Sequence, residues 1–399
     1  MSTQIQDAYI VSAKRTPVGK APRGSFRYTR PDDLLAHCIR GVLDELPQLD
    51  RKAIGDVIVG CAMPEAEQGM NVARIALLLA GLPEQVPGMT INRFCSSGLQ
   101  AIAMAADRIR LGEADLMIAG GTESMSLVPM MGNKVSFNPK LFEADNDVAI
   151  AYGMGITAEK VAERWKVTRG DQDAFALESH RRAIEATQAC EFADEILPYD
   201  VALPSPDLET GQVRIASRTL AVDEGPRPGG TIEALAKLRP AFAARGSVTA
   251  GNSSQMSDGA AALLLASERA LKVYDLEPLA RFRAFSVAGV APEVMGIGPV
   301  EAIPKVLTPL GLTQDDMDWI ELNEAFAAQS LAVINTLGLD PVKVNPLGSA
   351  IALGHPLGAT GAIRTATLVH GLRRRKLKHG MVTMCIGTGM GAAGVFEAA

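Results

Sequence analysis

The sequence predicts an α/β protein made of two similar halves with an insertion between them. Short apolar runs alternate with segments of helical periodicity over the first 125 residues, and the same alternation returns in the last third of the chain. Between these stretches, over residues 124–246, the pattern changes to two helical segments and to segments rich in Pro or Gly. We infer an internal two-fold duplication, with a long insertion of the kind that usually carries ligand contacts.

The first half contains four predicted strands, each a short apolar run, and three predicted helices. The strands are expected at residues 8–13, 56–61, 89–94 and 115–119. The helices are expected at residues 32–45, 71–79 and 97–111, because their apolar residues recur at helical spacing. Helix 32–45 begins with two acidic residues, which suit the positive end of a helix dipole.

The second half repeats this order of elements. Strands are expected at residues 281–287, 319–322, 381–386 and 393–396, and helices at residues 300–310, 324–337 and 359–376. The insertion contains predicted helices at residues 157–165 and 170–188. We therefore place the N-terminal half at residues 1–124, the insertion at residues 125–248 and the C-terminal half at residues 249–399.

Length and composition exclude several classes of protein. A chain of 399 residues is long enough for two or three domains of roughly 150 residues. The 39 Lys and Arg against 45 Asp and Glu give a formal net charge of −6, which disfavours nucleic acid as a partner. No stretch reaches the roughly 18 uninterrupted apolar residues of a membrane span, and neither end reads as a targeting signal, so we expect a cytoplasmic protein. The five cysteines are odd in number and widely scattered, so a cysteine with a special role is expected to be reactive rather than bridged.

Cys95 and His355 are candidates for a nucleophile and its base. Cys95 lies between a predicted strand and a predicted helix, where unpaired backbone N–H groups and the helix dipole would stabilise its thiolate. A buried structural cysteine is the alternative. His355 alone among the five histidines lies in a Gly-rich strand-to-helix turn, and the duplication would place it at the position equivalent to Cys95. The two side chains would then face each other across the junction of the halves.

Two further segments contain candidate site residues. Cys385 ends a predicted strand, and the following Gly387 and Gly389 allow backbone N–H groups to approach a ligand closely. Residues 389–394 match the dinucleotide pattern G-x-G-x-x-G, but no helix follows, so we exclude a nicotinamide site. Asn323 stands where a strand gives way to a helix, and its alternative role is that of a helix cap.

Taken together, these segments resemble the thiolase family, and within it the degradative 3-ketoacyl-CoA thiolases. The matching motifs are NRFCSSG at residues 92–98, GGTESMS at 120–126, GNSSQMSDGAAA at 251–262, NEAF at 323–326, GHPLGATG at 354–361 and CIGTGMGAA at 385–393. The resemblance implies two βαβαβαββ halves in a five-layered α-β-α-β-α core with an inserted loop domain. It also implies a homodimer or homotetramer, in some cases joined to a hydratase/dehydrogenase subunit of β-oxidation.

The resemblance further implies CoA-dependent thiolytic cleavage of 3-ketoacyl-CoA, a reversible Claisen reaction with ping-pong kinetics. Cys95 would be the acylated nucleophile, His355 its base and Cys385 the acid/base for the acetyl-CoA carbanion. Asn323 would hold a water that, with His355, forms an oxyanion hole for the enolate. The backbone N–H groups of Cys95 and Gly387 would form a second oxyanion hole for the tetrahedral intermediates.

CoA is expected as a co-substrate, with no permanently bound cofactor and no metal ion. By the resemblance, Ser254 contacts the pantetheine, and Arg227 lies against the adenine end. Met154, Phe242 and Phe326 are similar to the apolar walls of the pantetheine and acyl tunnel.

One departure bears on the substrate. Thiolases specific for acetoacetyl-CoA usually carry a His before the Met-Gly of the loop domain, where this chain has Gly153. Because glycine leaves more room, we expect a β-oxidation enzyme with broad or longer-chain preference, and an acetoacetyl-CoA thiolase is the alternative. A decarboxylating ketoacyl synthase would lack an equivalent of Cys385. A non-catalytic acyl-CoA or lipid carrier would not need the full catalytic set.

Overall fold

The structure is a computed structural model that describes residues 5–143 and 153–399. The strands are β1 (Ala8–Arg15), β2 (Gly19–Lys20), β3 (Ile54–Gly60), β4 (Gly88–Ile91), β5 (Leu116–Ser124), β6 (Tyr199–Pro206), β7 (Val213–Leu220), β8 (Ser257–Ser267), β9 (Ala280–Gly289), β10 (Trp319–Leu322), β11 (His379–Ile386) and β12 (Met390–Ala398). The helices are α1 (Pro31–Asp44), α2 (Val72–Leu79), α3 (Ser97–Arg110), α4 (Met154–Arg164), α5 (Arg169–Gln188), α6 (Ile232–Ala236), α7 (Glu268–Tyr274), α8 (Gly298–Leu307), α9 (Ala327–Leu337), α10 (Ala350–Leu353) and α11 (Leu357–Arg375).

The order of the strands shows the duplication directly. In the first half the order is β4-β3-β5-β8-β1, in which β4, β3 and β5 are parallel and β8 and β1 are antiparallel to their neighbours. In the second half the order is β10-β11-β12-β9 with the same relative directions. A parallel bridge from Val344 to Ile320 of β10 occupies the place that β4 has in the first half. The two halves join where β1 pairs with β9.

Alternating residues along the strands separate the hydrophobic core into layers. In β5, Ile118 packs with α1 and α2, whereas Met117 packs with α3 and α11. In β10, Ile320 packs with α8 and α9, whereas Trp319 packs in the cluster that contains α3 and α11. Because neighbouring residues of a strand point to opposite faces, the result is a stack of five layers with α3 and α11 in the middle. This confirms the predicted α-β-α-β-α core.

The two central helices meet backbone to backbone near their N-termini. A Cβ atom on Gly98 of α3 would lie 2.7 Å from the backbone nitrogen of Ala362, and one on Gly361 of α11 would lie 2.3 Å from that of Leu99. Only glycine permits such an approach. The close contact brings the segments that precede α3 and α11, which contain Cys95 and His355, to the same region.

The insertion interrupts a hairpin of the first half. Strand β8 lies within the segment that we assigned to the C-terminal half, 249–399, but it pairs with β5 and β1 of the first half. Its equivalent in the second half, β12, follows β11 after a short turn. The first half therefore resumes after the insertion, because antiparallel strands need only adjacent ends and tolerate a long connection between them.

Most other predicted elements appear within a few residues of their expected ends. The predicted strand 89–94 is too long, because Phe94 adopts a positive φ of 44° and begins a 3-10 helix, Phe94–Ser96. The hairpin β6–β7, the strand β8 and the helices α6, α7 and α10 were not predicted. Residues 389–394 enter β12 and not a helix. In the described part of the chain, no helix combines the length and the apolar character that crossing a membrane requires.

Candidate active site

The structure brings the five predicted catalytic residues together in two groups, Asn323 with His355 and Cys95 with Cys385 and Gly387. Cys95 lies in the 3-10 helix before α3, Asn323 follows β10, and His355 lies between α10 and α11. Cys385 is in β11, and Gly387 is in the turn between β11 and β12. Cys95 packs beside Leu357, two residues beyond His355, and it is close enough to Cys385 to affect the pKa of that thiol.

Cys95 rests as a thiol. Burial raises the pKa of Cys95 to about 11, and the backbone N–H groups of Gly387 and of Cys95 itself offset only part of this effect. Burial therefore opposes the stabilisation of the thiolate that the N–H groups at the start of the helix provide. Desolvation of the anion outweighs the N–H groups. The thiol needs a base to become a nucleophile.

His355 has the properties of that base. Burial, and then the positive charge of Arg364, lower the pKa of His355 to about 3, so the imidazole is neutral. Its Nδ1 lies 2.7 Å from Oγ1 of Thr360, and its Nε2 lies 3.4 Å from Nδ2 of Asn323. Both contacts are satisfied when Nδ1–H donates to Thr360 and Nε2 accepts from the amide of Asn323. In this tautomer the basic nitrogen is Nε2.

The backbone around His355 is held equally firmly. The N–H of His355 donates to Oγ of Ser257 at 3.1 Å and to the carbonyl oxygen of Gln255 at 3.3 Å. The preceding Gly354 has a φ of 96°, and a Cβ atom there would lie 2.4 Å from the hydroxyl of Ser257. Both observations require glycine at position 354.

Asn323 is not a helix cap. Helix α9 begins at Ala327, and its N-cap is Phe326. The N–H of Asn323 donates to the carbonyl oxygen of Thr383 at 3.0 Å, which extends the pairing of β10 with β11 by one residue. The side chain is fully buried, and its Oδ1 has no hydrogen-bond partner among the residues described. The side chain thus belongs to the site, and its Oδ1 can accept a hydrogen bond from a bound water or ligand.

Two buried carboxylates that the sequence analysis did not single out hold the loops of the site together. Glu123 accepts from the N–H of Ala62 at 2.7 Å and from that of Gly358 at 2.8 Å, which ties the loop after β3 to the first turn of α11. Glu324 accepts from the hydroxyl of Ser179 at 2.6 Å, which ties the segment beside Asn323 to α5 of the insertion. In the sequence, the signal that could have identified these two residues is a charged side chain within an otherwise apolar or small-residue segment.

The predicted apolar walls come together beside the site. Met154 packs in one cluster with Phe326 and Cys385. The ring of Phe242 lies edge-to-face on that of Phe326, with centroids 6.1 Å apart. A Cβ atom on Gly153, which is exposed, would meet no atom of the described residues within 4 Å. Among those residues, the apolar wall thus adjoins a position without close neighbours, the one that the sequence analysis connected with chain length.

The two residues that were predicted to contact CoA lie at different distances from the catalytic candidates. The N–H of Ser254 donates to the carbonyl oxygen of Ala325 at 3.0 Å, so Ser254 lies next to the wall formed by Phe326. Arg227 is exposed, and its N–H donates to Nδ1 of His180 at 3.2 Å. Arg227 thus lies on the surface of the insertion, outside the buried group of catalytic candidates.

Comparison with known proteins gives matches over nearly the whole chain. Residues 8–269 match the thiolase N-terminal domain, and residues 276–398 match the thiolase C-terminal domain. The chain is 52% identical to the 3-ketoacyl-CoA thiolase of Bacillus subtilis (strain 168), over 98% of this chain and 100% of that protein. It is 47% identical to the peroxisomal 3-ketoacyl-CoA thiolase A of Rattus norvegicus, over 98% of this chain and 88% of that protein.

Solved structures agree with these matches. The acetyl-CoA acetyltransferase of Bacillus anthracis superposes with a TM-score of 0.89 and 39% identity, over 100% of both chains. The human mitochondrial 3-ketoacyl-CoA thiolase in complex with CoA superposes with a TM-score of 0.88 and 38% identity, over 99% of both chains. With both domains matched, full-length relatives of this identity and the same fold, the chain belongs to the thiolase family.

Proposed function

We propose that this protein is a 3-ketoacyl-CoA thiolase, an acyltransferase that uses CoA to cleave 3-ketoacyl-CoA into acetyl-CoA and a shortened acyl-CoA. The observation that carries the proposal is the pair of neighbouring thiols, Cys95 and Cys385, together with a buried neutral histidine, His355, which contacts Asn323. The reaction needs one thiol to carry the acyl group and a second to move a proton. Full-length relatives that carry this name, 52% and 47% identical, support the assignment.

In the first half-reaction, Nε2 of His355 takes the proton of Cys95, and the sulfur attacks the 3-keto carbon. The backbone N–H groups of Cys95 and Gly387 stabilise the tetrahedral oxyanion. These two N–H groups already lie where they lower the pKa of the Cys95 thiol, which is where negative charge develops. The C2–C3 bond then breaks and leaves an acyl group on Cys95.

The leaving group is the enolate of acetyl-CoA, and two side chains act on it. Asn323, through a water molecule, and the protonated His355 stabilise the enolate oxygen, and the thiol of Cys385 donates the proton that completes acetyl-CoA. Burial, and then the nearby Cys95, raise the pKa of Cys385, which keeps it protonated for this step. In the second half-reaction the CoA thiol loses its proton, which restores the thiol of Cys385, and its sulfur attacks the acyl group on Cys95; the Cys95 sulfur leaves and regains its proton from His355. CoA is therefore a co-substrate, and the reaction needs no permanently bound cofactor.

We assign the substrate class from the walls of the tunnel. Ser254 and Arg227 bind CoA, and Met154, Phe242 and Phe326 bind the pantetheine and acyl chain. The open space beside Gly153 accommodates acyl groups longer than acetoacetyl, which favours a role in fatty-acid β-oxidation. A hydratase/dehydrogenase subunit is the corresponding source of 3-ketoacyl-CoA.

The protein is proposed to act as a cytoplasmic homo-oligomer. Strand β4 lies at the edge of the sheet, and the side chains of Met70, Leu78 and Leu79 near it are exposed. An edge strand with exposed apolar neighbours is suited to pairing with a second copy of the chain. All five cysteines are free, which fits a reducing compartment.

The test is steady-state thiolysis of 3-ketoacyl-CoA esters with acyl chains from four to sixteen carbons, measured by loss of the ketoacyl-CoA enolate absorbance. A rate that rises with chain length supports a β-oxidation thiolase. Activity confined to acetoacetyl-CoA would preserve the mechanism and overturn the substrate class. A Cys95→Ala variant serves as the control, and absence of turnover at every chain length in the wild type would contradict the proposal.

A further inference from the structure

Residues 319 and 321 of β10 and Asn323 just beyond it form a row of contacts with the central helix α11 and with the segment before that helix. The ring of Trp319 lies against Gly371, where a Cβ atom would be 2.6 Å from Cη2 of the ring. Two residues further along the chain, a carboxylate oxygen of Glu321 lies 3.6 Å from Nη1 of Arg364. Two residues further still, Asn323 reaches His355. Because side chains two apart on a strand share a face, these three contacts lie on the same side of β10.

The middle contact is a buried ion pair. The side chains of Glu321 and Arg364 are 0% and 1% exposed. Nε1–H of Trp319 donates to the other carboxylate oxygen of Glu321 at 2.7 Å, which orients it. No nitrogen of the Arg364 guanidinium has a hydrogen-bond partner among the described residues, and its charge is compensated by Glu321 at 3.6 Å and, less directly, by Glu324. Removing either partner of the ion pair leaves a poorly compensated charge in the interior.

The ion pair neighbours the Asn323–His355 contact along both the strand and the helix. On β10, Glu321 precedes Asn323 by two residues. On α11, Arg364 lies one turn beyond Thr360, whose hydroxyl holds Nδ1 of His355 at 2.7 Å. The pair therefore joins the strand that ends at Asn323 to the helix that orients His355.

We propose that Glu321 and Arg364 are positioning residues, which hold β10 against α11 so that Asn323 and His355 together stabilise the enolate of acetyl-CoA. This inference rests on the function proposed above. Apolar packing between a strand and a helix permits small sliding, whereas a buried ion pair has a preferred distance. A misplacement of about 1 Å in an active site costs about 100-fold in rate, so loss of this ion pair should produce a measurable fall in kcat.

The charge state of the pair links it to pH. The charged groups that act on the pair from the neighbouring elements are Glu195 and Glu324, which raise the pKa of Glu321, and Arg364 also lowers the pKa of His355. Burial raises the pKa of Glu321 to about 7, while the charge of Arg364 opposes this rise. As the pH falls through about 7, Glu321 takes up a proton and the ion pair is lost. The turnover number of the wild type should therefore fall as the pH is lowered through about 7, which gives its pH profile an acidic limb.

The experiment compares Glu321→Gln, Arg364→Met and the double variant with the wild type. Arg374→Gln is the matched control, because it removes a positive charge from the exposed end of the same helix. For each protein we would measure thermal unfolding, kcat and KM for CoA in thiolysis from pH 6 to pH 8, and acetylation of Cys95 by acetyl-CoA. An Arg364→Lys variant keeps the charge and serves if Arg364→Met does not fold.

We expect each single variant to lose about 10- to 100-fold in kcat with an unchanged KM for CoA, and the double variant to lose no more than the worse single variant. Glu321→Gln should also lack the limb near pH 7, and Arg364→Lys should recover part of the rate. Additive losses, the same limb in Glu321→Gln, or an equal loss in Arg374→Gln would overturn the inference. Failure of the wild type to turn over 3-ketoacyl-CoA would instead overturn the proposed function.

Discussion

A Cys385→Ser variant tests whether Cys95 carries the acyl group while Cys385 transfers the proton. The substitution exchanges one sulfur atom for oxygen at a position that is 0% exposed, within a cluster that contains Met295 and Phe326. The change is nearly isosteric, so we expect the fold to persist. Burial, and then the nearby Cys95, hold the pKa of the Cys385 thiol well above its usual range, which makes it a proton donor. A serine hydroxyl is a far weaker acid in the same surroundings.

The expected loss follows from this role. General acid/base catalysis contributes about 100- to 10,000-fold, which corresponds to about 3–5 kcal/mol of activation free energy. We expect a loss of this size in thiolysis and in condensation, since both pass a proton through Cys385. Acylation of Cys95 depends on His355 and on the N–H of Gly387, so it should change little.

The assay measures the two half-reactions separately. Mass spectrometry follows acetylation of Cys95 by acetyl-CoA, and loss of the enolate absorbance follows thiolysis of 3-ketoacyl-CoA. A Cys95→Ala variant should fail in both assays. Thiolysis by Cys385→Ser at close to the wild-type rate would refute the reasoning, as would an equal loss of acetylation and thiolysis in a variant that unfolds at the wild-type temperature.

Four further variants test single contacts. Thr360→Val removes the oxygen 2.7 Å from Nδ1 of His355 and should lower kcat about 10-fold, the value of one hydrogen bond, whereas Thr360→Ser should keep the rate. Gly153→His fills open space and should lower thiolysis of long-chain esters at least about 10-fold while activity on acetoacetyl-CoA persists; an unchanged chain-length profile would contradict this. The pKa of His355 is about 3 in the folded protein and 6.5 in the unfolded chain. Between these pH values only the unfolded chain protonates this histidine, so acidification should lower the unfolding free energy of the wild type relative to His355→Asn. The difference should approach about 1.4 kcal/mol per pH unit in urea denaturation, and parallel curves would contradict it. Glu123→Ala leaves the N–H groups of Ala62 and Gly358 without their acceptor and should cost roughly 2–4 kcal/mol in the same assay, more than Glu123→Gln.

Several features of the fold follow from local patterns in the sequence. The apolar periodicity predicted the order of strands and helices, and its return in the last third of the chain predicted the duplication that the strand order confirms. The candidates Cys95 and Cys385 were found because each lies at or just after a predicted strand end, and His355 because it lies in a Gly-rich turn before a helix; the structure places that turn between α10 and α11 rather than after a strand. These signals extend over a few residues, so they are readable without knowledge of the fold.

The misplaced or missing features depend on residues far apart in the chain. Strand β8 belongs to the first half because it pairs with β5 across the whole insertion, and no local pattern shows that pairing. The role of Glu123 arises from Gly358, which is more than 200 residues away along the chain. Asn323 has the local pattern of a helix cap, and only the packing of β10 against α11 brings it to His355.

The sequence by itself determined the kinds of groups in the site and the architecture that carries them, because residue type and periodicity are properties of the chain. Only the tertiary structure decided their protonation states. Burial makes Cys95 a thiol and His355 a neutral base, although the position of Cys95 at the start of a helix predicts a thiolate. The physical reason is that desolvation depends on every element packed around a group, whereas the helix dipole belongs to one element alone.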